Sequence, residues 1–249
     1  MTMNPKRLLC PTILTGFILS HPPVTAQQVS TLPAAPGAQA TEAILAYTGS
    51  PAADWRLYNG PLYLGYDHHA QGHPFFQSDA GLTGSAEYDG VFYPSLTLSY
   101  DLVKDIVIIP DKQKSAYLQL LTEKLSAFSL GPDRFIYLPA DSTAANQPTA
   151  GYYQLLYNGK ARALAKHWKQ VQNNGKAEEN LTIYRQYESW YLEMNNRYLS
   201  IHSQKSLLKA FGAGDKGLRN ILHSKNISFK KDPAAALTTA AELLSQSNN

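Results

Sequence analysis

The sequence predicts a β-dominated α+β protein: a twisted, largely antiparallel sheet, with a partial barrel as its curled extreme, followed by three C-terminal helices. Three observations carry this expectation. The stretch Tyr88 to Ile109, YDGVFYPSLTLSYDLVKDIVII, alternates apolar and polar residues, is rich in β-branched and aromatic side chains, and is broken by short Asp-containing turns. That is the pattern of consecutive antiparallel strands. An aromatic residue, then Asn or Asp, then Gly recurs at Tyr58-Asn59-Gly60, Tyr88-Asp89-Gly90 and Tyr157-Asn158-Gly159. Such dipeptides favour tight hairpin turns, and their irregular spacing points to hairpins rather than a solenoid repeat. After Ser203 the apolar residues take up helical spacing instead.

Taken in order, the chain opens on an export signal. Lys6 and Arg7 precede an apolar run from Leu8 to Leu19 that is too short to span a bilayer. His21-Pro22-Pro23 breaks the run, and Val24-Thr25-Ala26 matches a small-residue cleavage site before Gln27. Residues 1–26 are therefore read as a signal peptide and residues 27–53, rich in Ala, Pro, Gln, Thr and Gly, as a loose leader with a short helix over Thr41 to Tyr47. Residues 54–203 form the β-rich domain. Within it, Leu57 to Gly60 reads as a strand end and turn, Leu62 to Tyr66 as a strand, and His68 to Asp79 as a polar loop. A strand pair begins at Gly84, strands follow at Tyr117 to Leu121 and Phe135 to Leu138, and residues 139–150 form a loop. Gly151 to Tyr157 is a strand that returns over Lys160 to Gln172, because the Asn-Gly turn outweighs the helix-compatible alanines. Leu181 to Glu193 and Arg197 to His202 pair around Asn195-Asn196.

Residues 204–249 form a helical tail packed on the same domain. Leu207, Leu208 and Phe211 share one face of a helix ended by Gly212. Asp215 can cap a second helix with Leu218, Ile221 and Leu222 inward. Asp232-Pro233 opens a third, with Asp as cap and Pro at the first helical position.

Composition narrows the class. With 44% hydrophobic and 16% charged residues in 249, the chain has the makings of a globular core and not of wholesale disorder. The one cysteine, Cys10, lies in the signal segment, where Arg7-Leu8-Leu9 is no lipobox. The exported protein would thus be held by its core, without disulfides, and thiol chemistry or cysteine-built zinc sites are excluded. The expected location is the periplasm or the cell envelope.

Several segments resemble one group of proteins when taken together: LYNGPLY near 57–63, YDGVFY and LSYDLVKDIVI within 88–108, FSLGPDRFIYL at 128–138, GYYQLLYNG at 151–159, and SQKSLLKAF with KGLRNILHSKNISFKKDPAAAL in the tail. They are similar to an uncharacterised exported β-rich protein family of Bacteroidota. The resemblance covers most of the mature chain, rests on turn and core residues, and implies fold and location without an active site.

Candidate chemistry is sparse. His68, His69 and His73 lie near Asp67 in one loop, a set of donors that suits zinc or copper. The spacing lies on no single helix face and Gly72 loosens it, so a solvated loop is the preferred reading. Asp101 and Asp105 bracket a turn. As a carboxylate pair they would suit glycoside acid–base work, but Asp at strand ends is a common turn former. Gly212, Gly214 and Gly217 match the spacing of a dinucleotide fingerprint without the buried strand that must precede it. Tyr184, Tyr187, Trp190, Tyr191 and Tyr198 could form an aromatic platform for a sugar or apolar ligand. Strand alternation puts Tyr187 and Tyr191 on one side and Tyr184 and Trp190 on the other; Tyr187, Trp190 and Tyr191 are the ligand-binding candidates. Lys205, Lys209, Lys216, Arg219, Lys225, Lys230 and Lys231 face only Asp215 in residues 204–231. A basic tail of this kind suits peripheral contact with an anionic envelope surface, while a solvated helix face is the plainer reading. Export argues against nucleic acid.

No motif demands turnover or a cofactor. The expected function is a non-enzymatic envelope protein that binds a partner or a ligand. The alternatives are a carrier of a lipid-like ligand inside a curled sheet, and a metal-dependent hydrolase built on the His68–His73 loop.

Overall fold

The computed structural model describes residues 55–66, 70–113, 115–140, 146–173, 182–212 and 215–247. The segments expected as a signal peptide and as a leader with a short helix, together with Asp67, His68 and His69, lie outside the described residues.

A 3-10 turn at Trp55–Tyr58 opens the fold, where a strand end was expected. Among the described residues eleven strands follow: β1 (Ala70–Gln71), β2 (Leu82–Tyr88), β3 (Val91–Asp101), β4 (Ile106–Pro110), β5 (Tyr117–Gln119), β6 (Leu125–Leu130), β7 (Asp133–Leu138), β8 (Gly151–Asn158), β9 (Ala161–Asn173), β10 (Thr182–Met194) and β11 (Arg197–Ile201). Helices α1 (Gln204–Phe211), α2 (Asp215–Ser224) and α3 (Pro233–Ser247) complete it. The strands make one sheet in the order β1-β10-β9-β8-β7-β6-β2-β3-β4-β5, with β11 also on β10. All pairings are antiparallel except β1 with β10. The sheet is not closed. It curls far enough for the Lys169 amide on β9 to donate to the Leu102 carbonyl in the β3–β4 turn, at 2.9 Å.

The turns explain the hairpins. Asp89-Gly90 and Asn195-Asn196 both take positive φ at both central residues, as a type I′ turn requires, and this matches the right-handed twist of the paired strands. The returning strand after Asn158-Gly159 is β9, and the Tyr-rich hairpin is β10–β11. Leu62 to Tyr66, expected as a strand, makes only a bridge from Leu62 to Leu118. β6 was not foreseen: its turn into β7, at Gly131-Pro132, lacks the Asn-Gly or Asp-Gly signal that marks the other hairpins.

The central strand behaves as alternation predicts, with one correction. Leu98 and Tyr100 are fully buried, Leu96 is partly buried, and Ser95 and Thr97 are exposed. Ser99, which strict alternation with Leu98 and Tyr100 would put on the exposed face with Ser95 and Thr97, is buried. The segment 74–76 lies beside that end of β3: Phe75 bridges Asp101, and the Phe76 amide donates to the Tyr100 carbonyl at 2.8 Å. A bulge also sits upstream. Pro94 and Ser95 together oppose Ser85, with Ser95 at φ 56, and the extra residue lets Tyr93 and Leu96 share the core face despite their odd spacing. On β4, Val107, Ile108 and Ile109 are all buried, so this strand, whose apolar run Ile106 to Ile109 does not alternate, is covered on both faces.

The main core is aromatic. Phe128 and Phe135 stack at 4.8 Å between centroids, and Tyr100 meets both edge-on at 5.3 Å. Tyr152 closes on Phe128 at 5.2 Å. Buried edge-to-face pairs add to the energy of burial itself. A second core lies under the helices, where Leu207, Leu218, Leu222, Leu237 and Ala241 pack with Leu192 and Ile201 of the sheet. Ser203 caps α1 in a reciprocal box with Ser206, and Asp232 caps α3 by accepting the Ala235 amide at 2.9 Å. The helices thus seal one end of the sheet and leave the other, near β1, β4 and β5, to the segments 61–66 and 70–76.

Candidate functional site

At that second end the chain builds a cleft of about 290 Å³. Tyr63 and Tyr66 come from the irregular segment before β1, His73 and Phe75 from the segment after it, Tyr117 from β5 and Tyr184 from β10. Gly65, Ala70, Gly72, Pro74, Asp79, Ser99 and Ile108 complete the lining. Leu62, Leu64 and Tyr117 are exposed beside it. The Tyr66 and Tyr184 rings meet edge-on at 5.6 Å, and His73 stacks on Phe75 at 6.3 Å.

One buried carboxylate sets this wall. Asp101, at the end of β3, has no solvent exposure. Its Oδ1 accepts the amides of Val103 at 2.8 Å and Lys104 at 3.0 Å, which shapes the β3–β4 turn. Its Oδ2 accepts the hydroxyls of Tyr63 at 2.8 Å and Tyr66 at 2.9 Å. The turn-forming role expected from sequence is therefore real but is half of what Asp101 does. Burial, then the Asp101 charge, pushes the Tyr63 and Tyr66 hydroxyls far above the ordinary phenol range. Burial and Asp101 act in the same direction on Tyr184.

Two lysines hold the wall from behind. Lys104 lies 4.7 Å from the Tyr63 ring centre and 4.4 Å from that of Tyr66, and donates to the Leu64 carbonyl at 2.6 Å. These are cation–π contacts that fix both rings. Lys169 of β9 donates to the carbonyls of His73 at 2.8 Å and Phe75 at 2.7 Å. Burial lowers the Lys169 pKa against the opposing pull of Asp101. Burial, helped by Lys169, likewise lowers that of His73, which favours its neutral form.

Asp105, the other member of the sequence pair, serves a separate cluster. Its Oδ1 accepts the Tyr100 hydroxyl at 2.5 Å and its Oδ2 the Lys166 ammonium at 2.6 Å. Lys166 also donates to the Tyr152 carbonyl at 3.1 Å, and burial lowers its pKa while Asp105 opposes that shift. Gly151 makes room for the pair: at φ 146, a Cβ there would lie 2.2 Å from Asp105 Oδ2 and 2.6 Å from Lys166 Nζ. The two aspartates are thus each committed to their own donors.

A third polar chain crosses β7 to β10. Asp133 accepts from Gln154 at 2.6 Å, Gln154 meets His167 Nε2 at 2.7 Å, and Glu188 lies 3.3 Å from His167 Nδ1. The contact with His167 is the largest influence lowering the Glu188 pKa. This buried histidine was not singled out in the sequence.

The sequence-predicted residues are only partly brought together. His73 lines the cleft, and its two expected partners lie outside the described residues. Among the described residues, no three His, Cys, Asp or Glu side chains gather as a metal site. Tyr187 stacks on Trp168 at 5.6 Å and Tyr191 packs on Tyr153 at 5.8 Å. Trp190 lies on the opposite face, half-buried against the helical core and 6.3 Å from His167. Tyr184 reaches the cleft, as do Tyr63, Tyr66 and Tyr117, which sequence reasoning missed. Nothing in the sequence ties Tyr63 and Tyr66 to an aspartate 35 or more residues away. The signal that was present is the pair of tyrosines in LYLGYD, a stretch that local pattern assigns to a strand.

No protein-family model, curated protein or solved structure matches this chain. Among the described residues, no helix is long and apolar enough to cross a membrane.

Proposed function

We propose that this chain is an exported, non-enzymatic protein of the cell envelope that binds a small ligand with a flat apolar face, a sugar ring foremost, in the tyrosine cleft. One observation carries the reading: four tyrosines and Phe75 converge on one small concavity, and a buried carboxylate fixes two of them in advance. Aromatic walls with a few placed polar groups are the usual make-up of a ligand site. Rings held in place before binding reduce the ordering cost of association. Asp79 and Ser99 supply hydrogen-bonding groups to the lining.

The packing supports the cleft over the alternatives. The aromatic core fills the space behind the central strands, which favours a site at the sheet end over a lipid carried inside the curl. Asp101 already accepts from four donors, with the Tyr66 hydroxyl reaching both of its oxygens, which suits positioning rather than proton transfer. Export rests on the Lys6-Arg7 region, the short apolar run and the Val24-Thr25-Ala26 site. N-terminal sequencing of envelope material is expected to begin at Gln27; an intact Met1 in most molecules would refute export.

The cleft is tested by thermal shift against a panel of mono- and disaccharides. A ligand at a hundred times its Kd stabilises by about 2.7 kcal/mol, roughly 5–10 °C for a domain of this size. The expected result is such a shift for at least one saccharide, lost in Tyr184→Ala. A flat panel, or a shift that survives Tyr184→Ala, would overturn the assignment.

A further inference from the structure

The helical tail carries a surface that the cleft does not use. Residues 204–231 hold seven of the chain's 22 lysines and arginines but one of its 19 acidic residues. This stretch therefore carries +6 while the rest of the chain carries −3. The structure turns all seven cations outward: Lys205, Lys209, Lys216, Arg219, Lys225, Lys230 and Lys231 are each exposed. The reason lies in the amphipathic helices. Leu207 of α1 and Leu218 and Leu222 of α2 are buried in the second core, and the basic residues take the remaining faces. Lys205 and Lys209, one turn apart on α1, line a shallow groove with Arg219 of α2, and Leu208 and Gly212 complete its apolar part.

We propose that this face docks the protein onto the anionic headgroups of a lipid bilayer. Charge complementarity selects the partner, since a stretch of net charge +6 with every cation exposed, on an otherwise acidic protein, both attracts and orients it at such a surface. Export places a membrane within reach. The contact is peripheral, with phosphate groups seated against Lys205, Lys209 and Arg219 and the other cations spread over neighbouring headgroups.

The test is co-sedimentation of the exported chain with vesicles of phosphatidylglycerol and phosphatidylcholine, against vesicles of phosphatidylcholine alone, at low and at 0.5 M salt. Binding is expected only to the anionic vesicles and is expected to fall with salt. The triple variant K205Q/K209Q/K216Q is expected to bind weaker by roughly fivefold per charge removed. A matched variant, K112Q/R185Q/R197Q, removes three exposed cations elsewhere and is expected to bind like the parent. If the first triple melts early, K225Q/K230Q/K231Q carries the same expectation at loop positions. Equal binding to both vesicle types, or equal loss in the tail and matched variants, would overturn the proposal. So would displacement by 10 mM inorganic phosphate, which would indicate a site for a free anion, or preferential binding to single-stranded DNA.

Discussion

Replacing Asp101 by Asn isolates the contact that organises the cleft. The change keeps size and shape and leaves one oxygen to accept the Val103 and Lys104 amides. It puts an NH2 group where Oδ2 now accepts the hydroxyls of Tyr63 and Tyr66. Hydrogen bonds to a charged group contribute about 1.5–3 kcal/mol each. Both phenols are only half-buried, which puts each bond at the low end, and rotated hydroxyls can recover part of the loss by accepting from the new NH2. The expected cost is therefore about 2–3 kcal/mol. Urea unfolding followed by tryptophan fluorescence measures it, with the slope unchanged if the native fold is intact. The reasoning makes a sharper demand through a mutant cycle. In a Tyr63→Phe, Tyr66→Phe background the hydroxyls are gone, and Asp101→Asn should cost at least 1 kcal/mol less than in the parent. A cost below about 1 kcal/mol in the parent, or strict additivity in the cycle, would refute the view that Asp101 holds these two rings.

Two further predictions follow from the core. Leu98→Ala is expected to cost about 2–5 kcal/mol through lost transfer energy and a residual cavity, because Leu98 is fully buried. Thr97→Ala, on the exposed face, should stay within about 1 kcal/mol; the reverse order in chemical denaturation would mean that the β3 register is displaced by one residue. The tyrosines predict alkaline sensitivity. Tyr63, Tyr66, Tyr100 and Tyr152 are all raised in the folded state by burial first, and Tyr153 is pushed up to about 12. Their unfolded counterparts ionise near pH 10, so above that value the native state binds more protons and its stability falls as pH rises. Lys166 and Lys169 work the other way, since their lowered pKa values make stability rise with pH up to about 10.5, but five tyrosines outnumber them. Denaturation midpoints should be lower at pH 11 than at pH 9, with phenolate absorbance appearing together with unfolding; a midpoint unchanged over that interval would contradict the assignment.

How much of this was legible in the sequence depends on the range of the interaction. The β3–β4 hairpin, the return of β9 after Asn158-Gly159 and the cap of α3 at Asp232 are local matters. Turn chemistry and period state them within a few residues. The misreadings lie where tertiary contact overrides the local pattern. Ser99 alternates outward but is covered by the segment 74–76, and Leu62 to Tyr66 is apolar yet follows the sheet end without joining its ladder. The cleft is the extreme case, because it draws Tyr63 with Tyr66, Tyr117, and Tyr184 from three places in the chain to one concavity whose wall is set by the carboxylate of Asp101. Asp101 was visible as a turn residue, but its other oxygen meets partners that no local pattern connects to it. The histidine loop attracted notice because histidines are chemically conspicuous; of the three, His73 contributes a ring and a carbonyl to the cleft wall. The basic tail, by contrast, was readable in full, since net charge in a short stretch needs no fold to count it.

The account stands or falls on where a ligand sits. A titration of the isotopically labelled protein with the most stabilising saccharide, followed through amide resonances, reads this directly. The expected result is saturable shifts confined to cleft amides, among them Gly65, Ala70, Gly72 and Ser99. Shifts confined instead to the Trp168, Tyr187 and Tyr191 face, or none anywhere at millimolar saccharide, would contradict it.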